Sequence, residues 1–240
     1  MKNNSGMNRR RILHTSDLHL ASCAEKDCRI LRGVVQLAEA SRVDLVLIAG
    51  DLFESNAVED DLVSFVAEQL GNLSACVAIL PGNHDCLDQD SVFHRSPFRG
   101  NHSNIRVLKE PQGETLHWPD LGISLWGRPI ISENIRPLDG LPRPELNGHW
   151  NIAAAHGYYV SSAASAALFP SYHISREEII NSRRDYIALG HVPVFKCVCE
   201  EPVKAFYSGS PSFGGTVAIV DLDEETGIRA TCHSLFGAGR

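Results

Sequence analysis

Short apolar, β-branched runs alternate with longer amphipathic stretches through the first half of the chain. Ile12–Thr15 predicts a strand, Arg29–Ala40 a helix, and Val43–Ala49 a strand buried on both faces. Asp60–Leu70 then predicts a second helix and Ala75–Leu80 another buried strand. This β-α-β-α-β order implies right-handed parallel crossovers and an α/β sheet. Between His102 and Arg128 the pattern changes to short segments with Gly and Pro turns, as expected of hairpins or edge strands. Pro129–Asn147 holds four prolines and no period, which predicts a loop that shapes a pocket.

The second half resumes with a strand at Asn151–Ala155 and a helix at Ser175–Arg183. Ser175 followed by Glu178 has the spacing of a capping box. Tyr186–Leu189 predicts a further buried strand. Antiparallel segments are expected at Val194–Val198, Lys204–Tyr207, Thr216–Leu222 and Gly227–His233. With no repeat and no linker, residues 11–236 are expected to form a single domain behind a flexible tail at 1–10, with Met7 an alternative start.

Composition narrows the class only a little. The net charge of −7 argues against a protein that coats duplex DNA, because such binding rests on Lys and Arg. It does not exclude a nuclease, since the field at a site can differ in sign from the whole. No run of eighteen apolar residues predicts a membrane span, and the first eight residues lack the apolar core of a secretory signal. Seven cysteines without a signal peptide are expected to be reduced thiols of a cytoplasmic protein. Neither Cys23/Cys28 nor Cys197/Cys199 has the spacing of a standard zinc site.

One feature recurs five times: an apolar strand runs directly into a residue able to bind a metal. Ile12–Ser16 leads to Asp17 and His19, Leu45–Gly50 to Asp51, and Val77–Gly82 to Asn83, His84 and Asp85. Ile152–Ala155 ends in His156, and Tyr186–Gly190 in His191. In an open α/β sheet the carboxyl ends of neighbouring strands converge on one crevice, so these residues should meet. Gly50, Gly82 and Gly190 would permit the tight turns required. Carboxylate, amide oxygen and imidazole without thiolate suit Mn²⁺ first, with Fe or Zn²⁺ as alternatives. A carboxylate shared by two ions about 3.5–4 Å apart suits in-line displacement at phosphorus, with a hydroxide between the ions as nucleophile. A separate imidazole would protonate the leaving oxygen.

These blocks resemble the signature set of the calcineurin-like metallophosphoesterases: D-x-H, G-D, G-N-H-[DE], an isolated His, and G-H-x-H. The likeness spans roughly 11–220 and implies a four-layer α/β/β/α sandwich of two packed sheets. The wording of His14–His19, Gly50–Phe53 and Tyr207–Pro211 is similar to that of the SbcD-like DNA-repair nucleases. The resemblance implies that Asp17 and His19 bind a first metal, that Asp51 bridges, and that Asn83, His156 and His191 bind a second. It implies that His84 is not a ligand but contacts substrate, alongside Asn83, and protonates the leaving group.

Three departures stand out. Pro193 replaces the second His of G-H-x-H, which leaves the first metal with Asp17, His19 and the shared Asp51; His173 is the first suspect for a substitute. Glu54 stands where the repair nucleases tend to carry His, and is expected to orient His84. No capping domain and no partner-binding segment are expected after the last strand. The expected activity is hydrolysis of a phosphodiester, with a nucleotide or nucleic-acid end as substrate and no membrane partner. Phosphomonoesterase action on a small molecule, or a weakened site kept as a binding scaffold, are the alternatives. His14 is expected in the core; His94, His102, His117, His149 and His233 at structural or surface positions. Trp118, Trp126 and Trp150 are expected to pack.

Overall fold

The computed structural model describes residues 9–100, 102–144, 148–162, 166–167 and 171–236. Most of the expected tail, and the end of the proline-rich loop, lie outside these residues. The first sheet holds β1 (Arg10–Thr15), β2 (Leu45–Ala49), β3 (Cys76–Leu80), β4 (Ile105–Val107), β13 (Thr216–Asp223) and β14 (Gly227–Ser234), in the order β14-β13-β1-β2-β3-β4. The second holds β5 (Glu114–Trp118), β6 (Ile123–Gly127), β7 (Trp150–His156), β10 (Tyr186–Gly190), β11 (Phe195–Cys199) and β12 (Lys204–Ser208), in the order β11-β12-β10-β7-β6-β5. A parallel pair, β8 (Tyr158–Val160) and β9 (His173–Ser175), stands apart.

Alternation along the central strands builds the layers. In β2, Leu45 and Leu47 face the second sheet and meet Ile152, Ala154, Tyr186 and Ala188. Val46 and Ile48 face the other way, onto Ile30, Leu31 and Val34 of α1 (Glu25–Ser41) and Leu62, Val63 and Val66 of α2 (Asp60–Gly71). A strand apolar at every position is buried on both faces, and all five residues of β2 are buried. Beyond the second sheet, Ala153, Ala155, Ile187 and Leu189 pack on Ile174, on Leu138 from the proline-rich loop, and on Ile179 of α3 (Arg176–Asn181). The result is the expected α/β/β/α sandwich, with a thin outer layer on this side.

Three differences from the sequence reading stand out. Helix α1 starts four residues before Arg29, because its first turn is polar and sits outside the apolar period; Asp27 there accepts hydrogen bonds from the amides of Ala21 and Ser22. Helix α3 ends at Asn181, although its capping box at Ser175 and Glu178 forms as expected. Strand β12 is antiparallel to β11 but parallel to β10. The chain leaves β10 for the outer edge, forms β11, and turns back into the space between them. The three tryptophans are buried.

Candidate metal centre

The five strand ends do meet. Past the ends of β1 and β2 the parallel ladder continues through the loops: Asp17 N donates to Gly50 O at 3.0 Å, His19 N to Asp51 O at 3.1 Å and Leu20 N to Leu52 O at 3.1 Å. The second sheet reaches the same place through His156, whose Nδ1 lies 2.8 Å from Ala49 O. Side chains at the loop glycines would block this approach. A Cβ on Gly82 would fall 2.2 Å from Asp51 Oδ1, and one on Gly50, whose φ is +96°, would fall 2.0 Å from His156 Nδ1.

Asp17, His19, Asp51 and His191 have φ of 55°, 46°, 54° and 91°. They are four of the seven non-glycine residues with positive φ among those described. Such conformations cost about 1–3 kcal/mol each and persist where surrounding structure imposes them. Here the cost falls on the residues that the motifs single out.

Backbone amides hold one oxygen of each carboxylate and turn the other inward. Asp51 Oδ1 accepts from His84 N at 2.9 Å. Asp17 Oδ2 accepts from His191 N at 3.0 Å and from the Ser16 hydroxyl. That leaves Asp17 Oδ1 at 3.9 Å and Asp51 Oδ2 at 3.8 Å from His19 Nε2. The same Asp51 Oδ2 lies 3.1 Å from His156 Nε2. His156 Nε2 is in turn 3.0 Å from Asn83 Oδ1 and 3.1 Å from His191 Nδ1. Asp51 therefore belongs to two donor clusters at once. Donors about 2.0–2.1 Å from one ion lie roughly 3–3.5 Å apart, which the second cluster matches and the first approaches.

The electrostatics also fit a cation. Burial would lower the pKa of His156, but Asp51 and Asp17 outweigh it and hold the group up at about 9. Burial would raise Asp51, but the facing His156 and the His84 amide pull it below the usual carboxylate range. Burial, with repulsion from Asp51, pushes Asp17 up. Burial and the neighbouring His156 push His191 down to about 3, and its Nε2 is a buried polar atom without a hydrogen-bond partner. One imidazolium thus serves two carboxylates. The carboxylate, amide and imidazole donors fit divalent metal ions, which would displace that proton.

Glu54 lies at the site, with its carboxylate nearer to His19 than to His84. Its carboxylate Oε2 is 2.9 Å from His19 Nδ1. His84 Nδ1 is instead 2.9 Å from the backbone carbonyl of Glu54, and the carboxylate stands back at 3.8 Å. The residue steers both imidazoles, one with its side chain and one with its main chain. His84 joins His19 and Asp51 in the first donor cluster, its ring 4.6 Å from that of His19. Pro193 is exposed on the turn after β10. His173 does not fill the gap: it is paired with Tyr158 in the β8–β9 ladder, lines a depression with Arg136, Ser175 and Arg176, and joins neither cluster. His14 is fully buried, with Nδ1 3.0 Å from the Tyr186 hydroxyl.

Residues to which the sequence assigned no role complete the site. Ser210 donates to Asp17 O at 2.6 Å, Ser212 donates to Leu18 O, and Ser208 lies 3.1 Å from Ser16. The segment Ser208–Ser212 thus clamps the loop that carries Asp17 and His19. Its wording was legible, but its role was not. Tyr158 and Phe213 set their rings against His191 and His19 at 4.2 and 5.5 Å between centroids.

Residues 10–216 match the calcineurin-like phosphoesterase family. The chain belongs to that family. The family is one of phosphoesterases, and membership implies divalent metal ions at the site. The chain is 22% identical over 224 residues to the uncharacterized metallophosphoesterase YhaO of Bacillus subtilis (strain 168), covering 82% of this chain and 52% of that one. It therefore spans about half the length of that curated relative. In fold it is similar to TT1561 of Thermus thermophilus, with a TM-score of 0.63 and 14% identity over 95% of this chain and all of that one. It also resembles purple acid phosphatase PPD1 from yellow lupin, with a TM-score of 0.63 and 12% identity over 98% of this chain and 53% of that one. Among the described residues no helix is long and apolar enough to cross a membrane.

Proposed function

We propose that this phosphoesterase hydrolyses a phosphodiester, the end of a nucleotide or nucleic acid, with two divalent ions of which Mn²⁺ is the first choice. The observation that carries the reading is the single inward oxygen of Asp51, shared by the His19 cluster and the His156 cluster. Asp17, His19 and Asp51 would hold one ion; Asp51, Asn83, His156 and His191 the other. When bound, the ions supply charge stabilisation at the phosphoryl oxygens and lower the pKa of a water that serves as nucleophile. The protein's share is positional. The Gly50 and Gly82 turns bring the carboxylates and His156 together. The Glu54 carbonyl accepts from His84 Nδ1–H, so that Nε2 faces the site and, in the imidazolium, would be the atom that gives a proton to the leaving oxygen.

The rim favours a diester over a monoester. Histidines, the half-exposed carboxylate of Glu54 and aromatic rings border the clusters. A negative group at the mouth opposes a dianionic monoester more than a monoanionic diester. The test is hydrolysis of bis(p-nitrophenyl) phosphate and p-nitrophenyl phosphate by chelated protein with Mn²⁺, Zn²⁺ or Fe added back. Metal should restore turnover, with the diester preferred. A preference for the monoester would overturn the diester reading, and no turnover with any ion would favour a scaffold.

A further inference from the structure

We propose that Phe213, with Val194 on the neighbouring turn, forms a shelf at the mouth of the site that takes the nucleobase of the substrate; the inference rests on the nucleotide reading above. Phe213 is 71% exposed and Val194 58%. The other phenylalanines that stack in this half of the molecule, Phe53, Phe93 and Phe98, are buried and pack on one another. Phe213 instead meets the ring of His19, at 5.5 Å and 86°, and otherwise projects into solvent.

Its position is held firmly. Ser210 Oγ accepts from the amides of Ser212 and Phe213, both at 3.2 Å, while donating to Asp17 O. Gly214 N donates to Ser210 O at 3.0 Å. The loop that presents the phenyl ring is thus the loop that clamps the proposed first-metal ligands, and the two cannot move independently. Val194 comes from the turn beside it: a Cβ on Gly214 would lie 3.9 Å from Pro193 O. Two exposed apolar side chains therefore sit on adjoining loops, next to the position where the family motif would carry a second His.

A flat apolar surface one ring away from a proposed metal ligand suits a planar group carried next to the scissile phosphate. Every nucleobase has such a face, and stacking on an aromatic side chain binds bases with little regard to sequence. An aliphatic ester group would cover less of a planar ring. Glu54 on the rim disfavours a second phosphate there.

Two measurements test the shelf. The first compares thymidine 5′-(p-nitrophenyl) phosphate with methyl p-nitrophenyl phosphate, which share a leaving group and differ in the base. Phe213→Ala should raise KM for the nucleoside ester relative to the methyl ester by between about five- and a hundredfold, and Phe213→Trp should restore the preference. An unchanged KM ratio would overturn the proposal. The second titrates 2-aminopurine riboside 5′-monophosphate into the Zn²⁺-loaded full chain and reads the quenching that accompanies stacking. The native protein should quench and Phe213→Ala should not. Equal quenching, or none in the native protein, would also overturn it. If neither ester is turned over, the phosphodiester reading fails, and the quenching alone decides the shelf.

Discussion

The two halves of the centre share Asp51 and are built differently. The half around His156 is interior: His156 is fully buried, and Asp51, Asn83 and His191 converge on its Nε2 within 3.0–3.1 Å. Its candidate donors come from the ends of β2, β3, β7 and β10, so two packed sheets hold them. The half around His19 lies at the mouth. His19 keeps 13% of its side chain exposed, its outer nitrogen is held by the half-exposed Glu54, and its donors stand 3.8–3.9 Å apart. Pro193, standing where the motif of the family would carry a second His, would cost this outer half a ligand. The contrast teaches that a ligand could be spared where solvent and a loop can compensate. In the interior half, losing one would leave buried charge unpaired.

The sharpest way to break this picture is Asp51→Asn, because one oxygen serves both halves. It should lower kcat by about 10⁴-fold or more, since nucleophile activation and charge stabilisation go together. Bound metal, counted by elemental analysis, should fall in both halves. Full retention of one ion would mean that Asp51 is not shared. His84→Ala should lower kcat by about 10²–10³-fold with metal content intact. That loss should shrink as the leaving group improves; a constant loss would assign His84 to positioning.

The halves should separate in a Mn²⁺ titration followed by calorimetry. The interior half should fill first, and activity should rise only as the outer half fills. Glu54→Gln should weaken the outer half by about 10–100-fold, the usual effect of removing the partner of a metal-bound imidazole, and leave the inner half unchanged. Pro193→His should tighten the outer half if the turn tolerates losing proline's fixed φ. Two equal sites in the native chain would end the comparison.

The smallest effect is on pH. The pKa of His156 in the metal-free fold is raised to about 9. Its pairing with Asp51 therefore stabilises the metal-free protein fully below pH 6.5, and the contribution is lost as pH rises through about 9. A metal must displace that proton, so Mn²⁺ binding to the inner half should tighten by up to about tenfold per pH unit between roughly pH 7 and 9. Titrations in buffers of different ionisation enthalpy would count the proton released. No release would mean that His156 is already neutral.

Much of this molecule could be read from the order of its residues. Runs such as Leu45–Ala49 are apolar at every position, which only a strand covered on both faces satisfies. The motif residues follow such runs, and strand ends in an α/β sheet converge. Local periodicity therefore yielded an α/β sheet and the residues that meet at its strand ends, while the two-sheet sandwich followed from the resemblance of the motifs to the family. It could not yield the direction of β12, because parallel and antiparallel strands share one pattern and only the partner decides. Nor could it show which imidazole Glu54 serves. The resemblance assigned Glu54 to His84, but the ladder from Leu20 to Glu54 turned its carboxylate to His19 and its carbonyl to His84. The serine clamp and the exposure of Phe213 belong to the same class. They depend on two loops, almost two hundred residues apart in sequence, being brought within hydrogen-bonding distance. Chemistry along one strand is local and legible; the facing of one loop by another is set by packing, and only the tertiary structure decides it.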